Sequence, residues 1–269
     1  MTDDVKKYYD EAAEYEWNRL SNPYSKIEYN STVYLIEKYF PKQGHILDIG
    51  SGPGRYSLML LQKGFNVSLL DISSNELDIA KRKIEEAGLK AEDYYCKSAL
   101  ELDSFENDTF DGILLMGPLY HLHDEKDRLK VIRDTHRILK KGGIALISYI
   151  NTWGCLKSAV SEFPEVFEDT EHFKRYLNGD LKFSPEESFT STYFTSPPLA
   201  IAEVEKAGFN IVSYAGAESF LAGLNIQMKN LYTYMPQIYE NFMVAAVESC
   251  ELPQYRDTTE HLHIIVKKL

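Results

Sequence analysis

From residue 45 onward, short apolar runs alternate with stretches in which apolar residues recur every three or four positions. The runs 45–50, 66–71, 92–97, 109–115 and 143–150 predict strands, and the intervening 54–63, 75–86 and 124–140 predict amphipathic helices. Apolar strands alternating with helices imply a parallel sheet covered on both faces, an α/β doubly wound architecture. Ser74 and Asp124 are the expected N-caps of the second and third of these helices. Ahead of the series, residues 3–40 predict two helices. Tyr8, Ala12, Tyr15 and Arg19 share helical spacing, Pro23 breaks it, and a second helix over 27–39 stops before Pro41.

After Ile150 the pattern lapses until a helix over 196–208, which has prolines in its first turn and Gly208 at its end. A strand over 209–215 follows. A second interruption, 217–256, carries apolar residues at 221, 224, 228, 231 and 235, again helical spacing, and Pro236 starts a further helix. His263 to Lys267 predicts a last strand, so core strands flank two insertions in a seven-stranded sheet. The expected division is a helical segment 1–43, a core 44–151, an insertion 152–195, a core helix and strand 196–216, a helical insertion 217–256 and a final strand 257–269.

A chain of 269 residues with 44% hydrophobic and 26% charged residues buries a substantial core. Its net charge of −12 opposes approach to a polyphosphate backbone, which argues against nucleic acid as partner. The basic clusters at 81–83 and 140–141 are short, and the first has Glu85 and Glu86 beside it. Met1 to Tyr9 is charged and has no apolar h-region, so no secretory signal is expected. No run approaches the ~20 apolar residues of a membrane helix. Cys96, Cys155 and Cys250 are scattered without metal-ligand spacing, which favours a reducing, cytoplasmic setting and no metal.

The chemistry concentrates at 46–54. Ile46, Leu47 and Ile49 form the end of an apolar strand, and Gly50, Gly52 and Gly54 follow at alternate positions. Glycine accepts positive φ and lets backbone approach a ligand. A strand, a glycine-rich turn and a helix begin a nucleotide-binding βαβ unit. The spacing is G-x-G-x-G, however, not the dinucleotide pattern G-x-G-x-x-G. Asp48 would repel a pyrophosphate and suits a ligand carrying an ammonium group. Asp71 ends the second strand 21 positions after Gly50, close to the ~20-residue spacing at which a carboxylate takes ribose hydroxyls.

These residues resemble motif I of the class I S-adenosylmethionine-dependent methyltransferases. The resemblance extends over roughly 100 residues through Val67 to Asp71, Phe110 to Met116, Gly117 to Leu122 and Arg137 to Gly143, with Lys141 where proline is common. It implies a Rossmann-like methyltransferase fold with helical lid insertions and a last strand antiparallel beside the sixth. It also implies S-adenosylmethionine as cofactor and S-adenosylhomocysteine as product. Gly50, Ser51 and Gly52 would lie against the methionine portion, with Asp48 orienting the loop and helping to hold the amino group. Asp71 would bind the ribose and Ile72 the adenine. Ser98 stands where relatives carry an acid for the adenine amino group, with Ala99 beside it; Met116 and Gly117 close the wall from strand four. Arg19, with Tyr15 beside it, is the candidate for the methionine carboxylate.

Methyl transfer from a sulfonium needs alignment and exclusion of water, with a general base only where the acceptor loses a proton early. His121 and His123 follow strand four, and two histidines at i, i+2 cannot both face one pocket. His121, with Tyr120 nearby, is the catalytic candidate. The insertions are rich in aromatics, among them Trp153, Phe173, Tyr176, Tyr193 and Tyr232, as a lid over an acceptor pocket or their own small cores would be. The 217–248 helices suit a lid or a homodimer surface. The function expected is methyl transfer to an O, N or C atom of a small molecule. Two alternatives are a protein that binds the adenosyl compounds without catalysis and an NAD(P)-dependent oxidoreductase.

Overall fold

The computed structural model describes residues 2–269, so Met1 lies outside it. Helices α1 (Thr2–Arg19) and α2 (Lys26–Tyr39) precede β1 (His45–Ile49), α3 (Arg55–Gln62), β2 (Asn66–Asp71), α4 (Ser74–Glu86), β3 (Asp93–Cys96), β4 (Phe110–Leu115), α5 (Glu125–Ile138) and β5 (Leu139–Ile150). The first interruption holds α6 (Thr152–Glu162), α7 (Thr170–Asn178) and a hairpin of β6 (Leu181–Phe183) and β7 (Thr192–Phe194). Then come α8 (Pro197–Lys206), β8 (Asn210–Gly216), α9 (Asn225–Tyr234), α10 (Pro236–Ser249), α11 (Pro253–Arg256) and β9 (His261–Lys267).

Seven strands form one sheet in the order β3-β2-β1-β4-β5-β9-β8. The first five in that order run parallel, and β9 lies antiparallel between β5 and β8. This reversed strand departs from the parallel 3-2-1-4-5-6 order of dinucleotide-binding folds and counts against the oxidoreductase alternative. The chain leaves β1 for β2 on one side and returns to β4 on the other, so the crevice for a ligand opens at the C-terminal ends of β1 and β4.

Alternation along β1 sets the two cores. Leu47 and Ile49 pack toward Ile132 of α5 and Val204 of α8, whereas Ile46 packs toward Leu35 of α2, Leu60 of α3 and Ala80 of α4. Helices α9 and α10 rest on α2 through Ile27, Met228, Tyr239 and Met243, away from the crevice. No helix of the described residues is long and apolar enough to cross a membrane.

Three local expectations change. Ser73, not Ser74, caps α4, its hydroxyl accepting from Glu76 N at 3.1 Å. Asp124 precedes α5 but its side chain accepts no capping hydrogen bond. Strand β5 begins at Leu139 rather than 143, because Leu139 already pairs with Phe110; residues 140–143 then bulge through Gly142 before Ile144 pairs with Gly112.

Candidate active site

Two glycines shape the crevice. Gly50 has φ +77°, and a Cβ there would meet Pro118 Cδ at 2.5 Å and the Met116 carbonyl oxygen at 2.6 Å. The turn after β1 therefore lies flat against the segment after β4. Gly52 has φ +52°, and a Cβ there would find nothing nearer than Glu76 Oε2 at 3.9 Å, because this backbone faces a cavity. Its N–H donates to Asp71 Oδ2 at 2.8 Å, and Ser73 N donates to Oδ1 at 2.9 Å. Burial raises the Asp71 pKa, opposed by these backbone donors.

The cavity holds about 460 Å³, and its surface is mainly apolar and aromatic. Of the residues expected to bind the cofactor or act in catalysis, all but Asp48 lie on its wall. Strand alternation turns Asp48 to the α3 side of the sheet, where it is buried and accepts from Ser57 Oγ at 2.7 Å. Burial, reinforced by the Asp71 charge, pushes its pKa up to about 7. Asp48 thus fastens β1 to α3 and lies off the cavity wall. Arg19 also differs from expectation. Its Nε binds Glu16 at 3.0 Å and its Nη1 binds Glu28 at 2.9 Å, so two carboxylates already hold it. Tyr15 stands at the mouth, 64% exposed. Ser98 uses its hydroxyl to cap the following turn, accepting from Leu100 N at 3.2 Å.

His121 sits at the inner end of the wall. Its Nδ1 lies 2.9 Å from the Ser191 carbonyl oxygen, which can only accept, so Nδ1 carries the proton and Nε2 is free to accept. Tyr9 from α1 donates its hydroxyl to that Nε2 at 2.9 Å. Burial lowers the His121 pKa to about 4, so the ring is neutral at physiological pH. Tyr120 and Phe189 pack on the same imidazole at 4.9 and 6.0 Å between centroids. His123 is turned away and bonds the Thr192 carbonyl oxygen. The 152–195 insertion reaches the cavity through Phe189; among the described residues, none of 217–256 lines it.

Sequence reasoning missed several wall residues. Tyr9 comes from α1 and meets His121 across 112 positions, a pairing no local pattern signals. Arg55 stacks on Trp17 and Tyr29, 4.9 and 5.5 Å from their centroids, and pairs with no carboxylate among the described residues. Its position just after Gly54 was the available signal. Glu76 is fully buried, and neither of its oxygens has a hydrogen-bond partner. Its pKa is pushed up to about 9 by burial and then by Asp71.

On the floor, His261 Nδ1 lies 2.7 Å from Glu218 and 4.0 Å from Glu28. Burial opposes its charge, but the two carboxylates outweigh it and lift its pKa to about 9. Ligand atoms of Glu28, Glu218 and His261 come within 4.8 Å of one another, yet Arg19 and the imidazolium already balance these carboxylates.

The open backbone at Gly52, the carboxylate at the end of β2, the orphaned Glu76 carboxyl beside it and the Arg55 guanidinium, which has no counter-ion among the described residues, thus line one cavity.

A family model described as a methyltransferase domain matches residues 46–143. The chain is 26% identical to the putative methyltransferase YqeM of Bacillus subtilis over 147 residues, 54% of this chain and 55% of that protein. It is 33% identical to a ubiquinone biosynthesis O-methyltransferase of Actinobacillus pleuropneumoniae over 112 residues, 39% of this chain and 45% of that protein. The chain thus spans about half the length of these curated relatives. Its fold superposes on a solved SAM-dependent methyltransferase from Methanosarcina mazei with a TM-score of 0.59 at 22% identity, covering 87% of this chain and 97% of that one. Residues 46–143 thus resemble a methyltransferase domain, and the sheet order and the glycine turn agree with that likeness.

Proposed function

We propose that this chain transfers a methyl group from S-adenosylmethionine to a small-molecule acceptor. The observation that carries the reading is that the glycine turn, the end of β2 and His121 line one cavity. Bound there, S-adenosylmethionine supplies a methyl carbon already activated by its sulfonium. The turn at Gly50, Ser51 and Gly52 lies along the amino-acid half, Asp71 and Ile72 along the ribose and adenine, and Ala99, Met116 and Gly117 close the wall. Arg55 is the cation for the ligand carboxylate, since Arg19 is engaged by Glu16 and Glu28.

Acceptor chemistry falls to the part of the cavity around His121. Tyr120 and Phe189 exclude water and align the acceptor; the Tyr9 hydroxyl occupies the lone pair of His121 Nε2, so the acceptor's proton passes to the Tyr9 oxygen as Tyr9 gives its own proton to neutral Nε2. Burial makes it a weak base, so it assists an acceptor whose proton becomes acidic during transfer rather than ionising one beforehand. The relative from Actinobacillus pleuropneumoniae, an O-methyltransferase by name, supports a small acceptor. The three cysteines, none joined to another, suit the cytoplasm.

Calorimetric titration with S-adenosylmethionine, S-adenosylhomocysteine and NADPH tests the reading. Micromolar binding of the two adenosyl compounds and none of NADPH is expected, followed by transfer of labelled methyl to members of a small-acceptor panel. Binding of NADPH alone overturns the cofactor assignment, and adenosyl binding without transfer to any acceptor favours the non-catalytic alternative.

A further inference from the structure

We propose that Glu76 is a second carboxyl of the nucleoside subsite, taking a ribose hydroxyl of the adenosyl ligand alongside Asp71; this rests on the cofactor reading above. Its origin is visible in the local sequence. Ser73 and Glu76 have the spacing of a capping box, in which the serine hydroxyl accepts from the glutamate N–H and the glutamate carboxylate accepts from the serine N–H. Only the first half forms here, at 3.1 Å. Asp71 takes the Ser73 N–H instead, at 2.9 Å, and Glu76 is released from the helix end.

The released carboxyl does not turn to solvent. It is wholly buried on the cavity wall under α1, with Oε2 beside Gly52 and neither oxygen bonded to any described residue. The charged groups that act on it are the carboxylates of Asp71, Glu16 and Asp10 and the Arg19 guanidinium. A buried carboxyl without a hydrogen bond is unfavourable, and a purely structural one would be partnered. The setting keeps it protonated, so it offers both a donor and an acceptor. A ribose cis-diol presents the same pair. Each Asp71 oxygen already accepts a backbone N–H that holds the glycine turn or the α4 cap, which reduces the lone pairs left for a diol, and an ionised Asp71 has no donor to offer, whereas Glu76 has one.

The test compares Glu76→Met and Glu76→Gln with the natural chain, using calorimetric titration of S-adenosylhomocysteine and of 5′-methylthioadenosine, which keeps the ribose and lacks the amino-acid end. Glu76→Met should weaken both ligands about 10-fold, the effect of one or two lost hydrogen bonds, with a thermal midpoint unchanged or higher. Glu76→Gln, which keeps a donor and an acceptor, should stay within about 3-fold of the natural chain. Weakening of S-adenosylhomocysteine alone would place Glu76 at the ligand ammonium and overturn the ribose assignment. Unchanged affinities, or a lowered midpoint with affinities intact, would mark a structural acid and overturn it too. If the natural chain binds neither compound, the cofactor reading itself has failed.

Discussion

Gly50 and Gly52 stand two residues apart, and the structure separates what they do. An alanine at either position is held at positive φ, a strain of about 1–2 kcal/mol. At Gly50 the added methyl also lands 2.5 Å from Pro118 Cδ and 2.6 Å from a backbone oxygen, neither of which is the end of a flexible side chain. Overpacking of this kind adds about 1–3 kcal/mol, so Gly50→Ala should lose about 2–5 kcal/mol of stability. At Gly52 the methyl meets nothing within 3.9 Å of the protein and only the strain remains. For a chain of this size each kcal/mol lowers Tm by ~2–4 °C, so Gly52→Ala should melt a few degrees low and Gly50→Ala well below it. Binding should rank differently: Gly52→Ala, still folded, places its methyl where the ligand backbone lies and should weaken S-adenosylhomocysteine by more than about 10-fold. Thermal unfolding and calorimetry on the same preparations decide. Gly52→Ala with undiminished affinity would refute the placement of ligand against this turn, and Gly50→Ala melting with the natural chain would refute the packing against Pro118.

His121→Ala should lower turnover by ~10²-fold or more while leaving the S-adenosylhomocysteine Kd unchanged, and an unaltered kcat removes His121 from the chemistry. Arg128 is buried among Glu203 at 2.9 Å, the carbonyl oxygens of Leu122 and His123, and the Tyr193 ring at 3.6 Å. Its replacement by alanine strands the Glu203 carboxylate and should destabilise by about 3–5 kcal/mol in denaturant titration. His261 has a folded pKa above its unfolded value, so its contribution is complete below pH 6.5 and is lost as pH rises toward about 9. Glu76, an acid with a raised pKa, makes stability fall over pH 4.5–9, so the His261 effect is read as the difference between the natural chain and His261→Gln, whose loss across pH 6.5–9 should be shallower.

The order of the core strands and helices was legible because each carries its own period; α6, α7 and the β6–β7 hairpin fall where that period lapses, and the other errors fall where two local solutions compete. Ser73 and Ser74 are equivalent as caps on paper; Asp71, which fixes the Ser73 backbone, decides between them. Asp48 was misread because the turn that follows it suggests a ligand. Its face is set by the alternation that sends Leu47 and Ile49 one way and Ile46 the other, and that alternation aims its carboxylate at Ser57. For Arg19 the nearer partner, Glu16, sits at helical spacing in the sequence, whereas Glu28 reaches it only once α2 has folded back.

The cofactor half of the cavity and the acceptor half are legible to different degrees for one physical reason. The glycine turn, Asp71 and Ser98 lie within 46–143, the stretch the family match covers, and each stands at or just after the end of a strand that its own apolar run marks. His121 also lies there, but what makes it a neutral acceptor does not. The carbonyl that sets its tautomer belongs to Ser191, the hydroxyl on its Nε2 to Tyr9, and the ring beside it to Phe189. The charged floor likewise draws Arg19 from α1, Glu28 from α2 and His261 from β9. Such contacts bridge from nine to more than two hundred positions and leave no period in the chain. On the proposed reading, segments outside the matched stretch select the acceptor, and exchanging α1 or residues 189–191 should change which molecule is methylated while S-adenosylhomocysteine still binds. Loss of S-adenosylhomocysteine binding in the folded 189–191 exchange would show that the two halves are not separable in this way.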